Sequence, residues 1–328
     1  MKLPGVKTAK SFSRWVQARI YGGALILGYH RVAEVESDDY EVCVSPEHFE
    51  QQMYALRKYT RPIRLAKLVQ CLKVGAVPPS SVAVTFDDGY ADNLYEAKPV
   101  LEKYEIPATV FVCSGYQGRE FWWDELDRLI MTSKADSSVL RLAVGEKPFD
   151  RDRHKVISET SFADYRNLRR ALYNFLLGLD VEERNQAMDA IRNWSGFSSS
   201  DVSSARSLSS VELLSLADGG LIEIGAHTRF HPILPRLVLE QQKDEILSSK
   251  LELEEILERK VEGFAYPHGR ATLESTRIVA EAGFSYACTS LQDVVRPGSD
   301  LHGLTRFWQK DVDGDKFMQT LNRWLKNS

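Results

Sequence analysis

No stretch of this chain is long and apolar enough to cross a bilayer, and no internal repeat is visible. The early lysines are not followed by an apolar run of signal-peptide length, which argues against cleavage and export. Cysteine is scarce: Cys43, Cys71, Cys113 and Cys288 are scattered and show no CxxC spacing. That pattern suits a reducing compartment better than a disulfide framework, and Cys113 and Cys288 fall in apparent buried strands, where a thiol behaves as a small hydrophobe. Neither sign of charge dominates. A net charge of −4 gives no reason to expect nucleic acid as the main partner. A dinucleotide-binding glycine fingerprint is missing as well. What remains is a globular composition, 43% hydrophobic and 27% charged, over 328 residues, enough for one large α/β domain or two smaller ones.

Residues 1–22 form a basic segment in which Lys2, Lys7, Lys10, Arg14 and Arg19 alternate with Phe12, Trp15, Val16 and Ile20. The apolar four share one helix face, which fits either an amphipathic helix on an anionic membrane surface or a basic helix packed on the domain. Without an export signal the expected location is the cytoplasm, with peripheral contact at the inner face of the membrane through this segment.

From residue 23 onward short apolar strands alternate with helices. Ala24–His30, Val82–Phe86, Ala108–Cys113, Leu221–Gly225, Val261–Ala265, Phe284–Thr289 and Leu304–Trp308 read as strands. Ser45 is a helix N-cap followed by Pro46, with Phe49, Met53 and Leu56 inward. Helices also follow at Leu65–Leu72, through Leu94, Ala97, Leu101 and Tyr104, at Leu237–Lys260 and at Leu273–Ala282. In the long helix Ile246, Leu247, Leu251, Ile256 and Leu257 are expected to face inward. The strand rhythm pauses at about 116–215, a charged, helix-patterned insertion with a short strand expected at Val139–Val144 and a polar loop at Ser198–Ser204. The fold class is therefore α/β, a distorted (β/α) barrel of seven or eight mostly parallel strands with a helical insertion.

The chemistry-bearing residues gather at strand ends. The Val82–Phe86 strand stops on Asp87, Asp88 and Gly89, and His30, His227, His231 and His268 also fall at or just after predicted strand ends. In a parallel barrel those ends open on one face, so six ionisable groups converge. His227 and His231 have HxxxH spacing, which lets two imidazoles hold one metal, and a carboxylate would complete a His₂Asp site. A metal beside a second, unliganded carboxylate is equipment for hydrolysis. Adjacent Asp87 and Asp88 cannot aim at one atom, so they have separate jobs, and a histidine across the pocket is placed to protonate a departing amine.

Thr85-Phe-Asp-Asp-Gly89, His227-Thr-Arg-Phe-His-Pro232 and Phe264-Ala-Tyr-Pro-His-Gly269 resemble three motifs of the polysaccharide deacetylases, the NodB-homology domain of carbohydrate esterase family 4. Leu27-Gly-Tyr-His-Arg-Val32 and Leu304-Thr-Arg-Phe307 resemble flanking motifs of one branch. The resemblance implies a NodB-like domain over residues 23–328 and metal-dependent removal of an acetyl group from an N-acetylated sugar. It makes Asp87 the general base and Asp88, His227 and His231 the ligands of one divalent ion, Zn²⁺ first, with Co²⁺, Ni²⁺ and Mn²⁺ as alternatives. A backbone N–H at His268 would face the oxyanion. Two positions depart from the family pattern. Ala265 stands where an Arg normally orients the base, and Arg306, at the end of the last strand, is the expected substitute. The usual C-terminal Leu-x-His acid has no match, which turns that role to His30; His302 precedes the last strand, on the wrong rim. Trp122, Trp123 and Tyr266 are candidates for stacking on a sugar, against ordinary packing. The alternatives are hydrolysis of another small amide, such as a formamido sugar, on the same site, or an inactive carbohydrate-binding homologue.

Overall fold

Seven apolar segments end up side by side in the order in which the chain makes them. They are β1 (Leu25–Tyr29), β2 (Ser81–Phe86), β3 (Ala108–Val112), β4 (Ile222–Ala226), β5 (Gly263–Ala265), β6 (Tyr286–Cys288) and β7 (Phe307–Trp308). In the computed structural model, which describes residues 23–35, 38, 40–132, 141–144, 147–150, 162–196 and 205–325, they pair in the order β6-β5-β4-β3-β2-β1-β7. Every pairing on that path is parallel, and Arg61–Pro62 adds an eighth short strand beside β2. The two ends of the curled sheet meet through a parallel bridge between Cys288 and Leu304, so the sheet forms the distorted barrel expected from the strand rhythm. The last three strands are shorter than their apolar runs, because pairing beyond them is carried by single backbone bonds such as Leu304 N–H to the Ala287 carbonyl (2.9 Å).

Strand alternation divides the core in two. Leu25, Leu27, Tyr29, Val82, Val84, Phe86, Val110 and Ile224 face outward into a layer closed by helices, among them Phe49, Met53 and Leu56 of α1 (Pro46–Tyr59). Ile26, Ala83, Phe111, Ala265 and Cys288 point the other way and cluster with Leu65, Leu68 and Val69 of α2 (Leu65–Val74). The Ser45 side chain caps α1 by accepting from the His48 N–H, with Pro46 in the first turn. After β2 the expected helix is interrupted: Asn93–Ala97 is a π-helical turn, and α3 (Lys98–Lys103) restarts behind it with Pro99, which has no N–H to give.

The described residues form two compact units, one running to Gln117 and resuming at Ser207, the other Gly118–Arg206. The second unit holds α4 (Trp122–Thr132), α5 (Phe162–Leu176) and α6 (Val181–Ser195), with an antiparallel hairpin of Arg141–Val144 and Lys147–Asp150. Arg192 binds Glu125 and Arg169 binds Asp127, tying the helices of that unit together. Back in the first unit, α7 (Ser210–Ala217) leads into β4, and α8 (Leu239–Leu257), α9 (Leu273–Glu281) and α10 (Gly314–Leu325) follow.

The long helix buries Ile246 and Leu257 and packs Ile256 on the core as expected, but differs at Leu247 and Leu251. In α8 the buried positions are Gln242, Glu245, Ile246, Ser249, Leu253 and Leu257, whereas Leu247 and Leu251 are 40% and 64% exposed. The buried stripe follows helical spacing but includes polar residues, so apolarity alone misplaces Leu247 and Leu251. The basic segment 1–22 and the Ser198–Ser204 loop lie outside the described residues. Among the described residues no helix is long and apolar enough to cross a membrane.

Candidate active site

Register brings the strand ends to one rim. Tyr29 pairs with Phe86, and the Asp87 N–H extends the ladder to the Tyr29 carbonyl (2.9 Å), so His30 and Asp87 leave adjacent strands at one level. Val112 likewise pairs with Ala226, and the His227 N–H donates to the Val112 carbonyl (2.9 Å). Immediately after Asp87 the backbone turns left-handed, with φ of 71° at Asp88 and 79° at Gly89. A Cβ on Gly89 would also lie 3.0 Å from Val112, so glycine is required there on two counts.

Asp87 and Asp88 point to different partners. Arg306 grips Asp87 with both arms, Nη1 to Oδ1 at 2.6 Å and Nη2 to Oδ2 at 2.7 Å. The guanidinium is 0% exposed; its Nη1 also reaches Thr85 Oγ1 (3.2 Å), and its Nε donates to the Thr289 carbonyl (3.1 Å). Arg306 stands one residue ahead of β7 and not at its end, and its side chain passes Phe111 inside the barrel to reach Asp87. Burial pushes the Asp87 carboxyl up, but Arg306 and His227 together outweigh it, and the carboxyl ends below the usual aspartate range.

Asp88, His227 and His231 offer ligand atoms that all lie within 4.8 Å of one another. His227 Nε2 is 3.5 Å and His231 Nε2 3.4 Å from Asp88 Oδ1. His227 Nδ1 lies 2.7 Å from the Ala265 carbonyl, which can only accept, so the ring proton sits on Nδ1 and the lone pair on Nε2 faces Asp88. Burial lowers the His227 pKa, keeping that imidazole neutral. A neutral imidazole oriented by a backbone carbonyl, a second imidazole and a carboxylate fit a divalent cation.

Two further histidines flank this centre. The His30 ring stacks on Trp308 (4.6 Å between centroids), and burial draws its pKa down to about 4, with Asp87 opposing and Arg306 and His227 adding to the fall. On the other side the His268 ring lies 4.5 Å from that of His231, on a residue with φ 57°, and burial takes its pKa to about 4. His302 Nε2 is 2.9 Å from the Phe284 carbonyl, ahead of β6 and away from this rim.

The expected sugar platforms are not surfaces. Tyr266 is 0% exposed, its hydroxyl donates to the His302 carbonyl (3.0 Å), and burial pushes its pKa to about 12. Trp122 and Trp123 are buried too. Trp122 stacks on Tyr173 (5.1 Å) beneath Arg184, and Trp123 on Phe121 (4.7 Å). Large aromatic rings serve cores as readily as ligands, and here packing took them.

Residues not singled out from sequence support the rim. Asp92 accepts from Arg31 Nε (2.9 Å) and from the Val32 N–H (3.3 Å), while Asn93 Nδ2 donates to the His30 carbonyl (2.9 Å). These bonds tie the segment after β1 to the loop after β2. Burial raises Asp92 to about 6 against the pull of Arg31. Their nearness to Asp87 and Asp88 in sequence was the available signal.

The sequence matches the model of the polysaccharide deacetylase family over residues 75–133 and 176–287, more than half of the chain; His30 and Arg306 fall outside the matched residues. Among curated proteins, a poly-beta-1,6-N-acetyl-D-glucosamine N-deacetylase of Staphylococcus aureus (strain MSSA476) is 35% identical over 111 residues, 30% of this chain. The match spans 38% of that relative's length. Among solved structures, the Streptococcus pyogenes deacetylase PplD in complex with acetate superposes with a TM-score of 0.59 at 19% identity, covering 91% of this chain and 98% of that one. IcaB from Ammonifex degensii gives 0.58 at 23% identity, covering 93% and 97%. The two structural likenesses speak for the fold. The family match, together with the rim that sets an arginine-held aspartate beside an Asp-His-His cluster, makes this chain a member of the polysaccharide deacetylase family.

Proposed function

We propose that the chain is a metal-dependent hydrolase that removes an N-acetyl group from an amino sugar of a polysaccharide or glycan precursor. The observation that carries this reading is Asp87, ionised and held by Arg306, next to the Asp88, His227 and His231 cluster, with His227 Nε2 3.8 Å from Asp87 Oδ2. Asp88, His227 and His231 would hold the ion, with Zn²⁺ suited to this donor set. When bound, the ion supplies positive charge that polarises an amide carbonyl and makes water easier to deprotonate.

Asp87 then serves as the general base. Arg306 keeps the carboxyl ionised and fixes its plane, so a lone pair remains for a water proton. His30 is the group placed to pass a proton to the departing amine; at a pKa of about 4 it rests neutral, so it must first receive that proton during turnover. His268 borders the cluster on the far side, where its backbone N–H is assigned to the carbonyl oxygen in the tetrahedral state. The S. aureus relative's name favours a polymer of N-acetylglucosamine as substrate.

Acetate release from N-acetylglucosamine oligomers, β-1,4- and β-1,6-linked, and from nucleotide-linked N-acetyl sugars, measured with metal content, tests the assignment. Asp87→Asn is expected to lose about 10²- to 10⁴-fold in kcat with its metal retained, and His227→Ala to lose the metal itself. An active Asp87→Asn enzyme would sink the proposed base.

A further inference from the structure

The stretch between the two histidine ligands is held in an unfavourable shape. Thr228 has φ 64° and His231 φ 56°, left-handed values that a threonine or histidine adopts at a cost. Such a loop persists only where its surroundings over-determine it. The Thr228 and Arg229 carbonyls accept from the N–H groups of Ser114 (3.2 Å) and Gly115 (3.0 Å), and Thr228 Oγ1 accepts from the His231 N–H (3.1 Å). Two further amides of the loop point to one atom. Oε2 of Glu245, a residue 7% exposed on α8, accepts from both the Arg229 N–H (2.9 Å) and the Phe230 N–H (3.0 Å).

We infer that Glu245 is a positioning residue for the metal centre: its buried carboxylate clamps the loop backbone so that His231 meets Asp88 at the distance His227 does. The inference rests on the reading of Asp88, His227 and His231 as metal ligands. Glu245 is on a different element, fourteen positions beyond His231, and its carboxylate binds the backbone of the loop that carries that ligand. An amide side chain retains an acceptor oxygen in the same place, whereas alanine leaves two N–H groups with no partner in a buried site.

The test is affinity for Zn²⁺, measured by competition with a chromogenic chelator, together with the visible spectrum of the Co²⁺-loaded protein. Glu245→Ala is expected to bind either ion about 10- to 100-fold more weakly and to give an altered Co²⁺ spectrum, the size of effect usual for groups that orient ligands. Glu245→Gln should restore both. If Glu245→Ala does not fold, Glu245→Asp carries the comparison, since a side chain one methylene shorter falls short of the amides. Wild-type affinity and spectrum in the folded Ala or Asp variant would overturn the inference while leaving the proposed function standing. A parent protein that takes up neither ion would overturn both.

Discussion

A guanidinium cannot shed its proton inside a protein, so burying Arg306 in the barrel obliges the chain to supply fixed partners for it. Asp87, Thr85 Oγ1 and the Thr289 carbonyl do so. The pairing also has a pH signature. Because the folded carboxyl lies below its unfolded value, its contribution to stability is present above the ordinary aspartate range and lost as pH falls through the folded value. Replacing Arg306 by Met leaves a buried carboxylate alone and reverses that sign, since burial then raises the group. Arg306→Met is expected to cost about 3 to 5 kcal/mol at neutral pH, measured by urea unfolding, and the deficit should shrink on acidification through the carboxylate range. A deficit independent of pH would mean that Arg306 acts through packing alone. The need for such a residue was legible, because Ala265 occupies the position where the family carries Arg. Its route to Asp87 was not, because it depends on how the lead into β7 crosses the end of β6.

Strands were easier to recognise than the turns that end them. Apolar runs of five or six residues declare β1, β2 and β3, and parallel pairing follows from the helices between them. The helix faces were less legible: α8 buries Gln242, Glu245 and Ser249 while Leu247 and Leu251 stay exposed, and of these Glu245 is the acceptor for two amides of the loop between His227 and His231. At the turn after β2, geometry is as demanding as chemistry. Gly89 combines φ 79° with a Cβ position 3.0 Å from Val112. Gly89→Ala is therefore expected to cost about 1 to 2 kcal/mol from the left-handed conformation, with crowding of Val112 in addition, read from the urea midpoint. Metal affinity should fall with it, because Asp88 is the preceding residue. A variant as stable as the parent would show that the turn can relax into another conformation.

For the molecule as a whole, the candidate metal site joins strand ends far apart in sequence, Asp88 after β2 and His227 and His231 after β4. An ion bound only by the folded chain stabilises it by mass action, by about 2.7 kcal/mol at a free concentration of 100 times Kd. Zn²⁺ is expected to raise the unfolding free energy of the parent by that amount, read from the shift of its urea midpoint, and to leave His231→Ala unchanged; an equal rise in the variant would place the ion elsewhere. Local composition was enough to identify the barrel class, the Asp-Asp turn and the histidine pair, because strand periodicity and short motifs are written in neighbouring residues. The interior placement of Tyr266 and the buried packing of Trp122 and Trp123 were decided only by tertiary structure. So were the bidentate hold of Arg306 on Asp87 and the reach of Glu245 to the ligand loop. The reason is physical: hydrophobic pattern says that a side chain is buried, but which groups meet depends on register and barrel closure, which bring together Asp87 and Arg306, 219 positions apart.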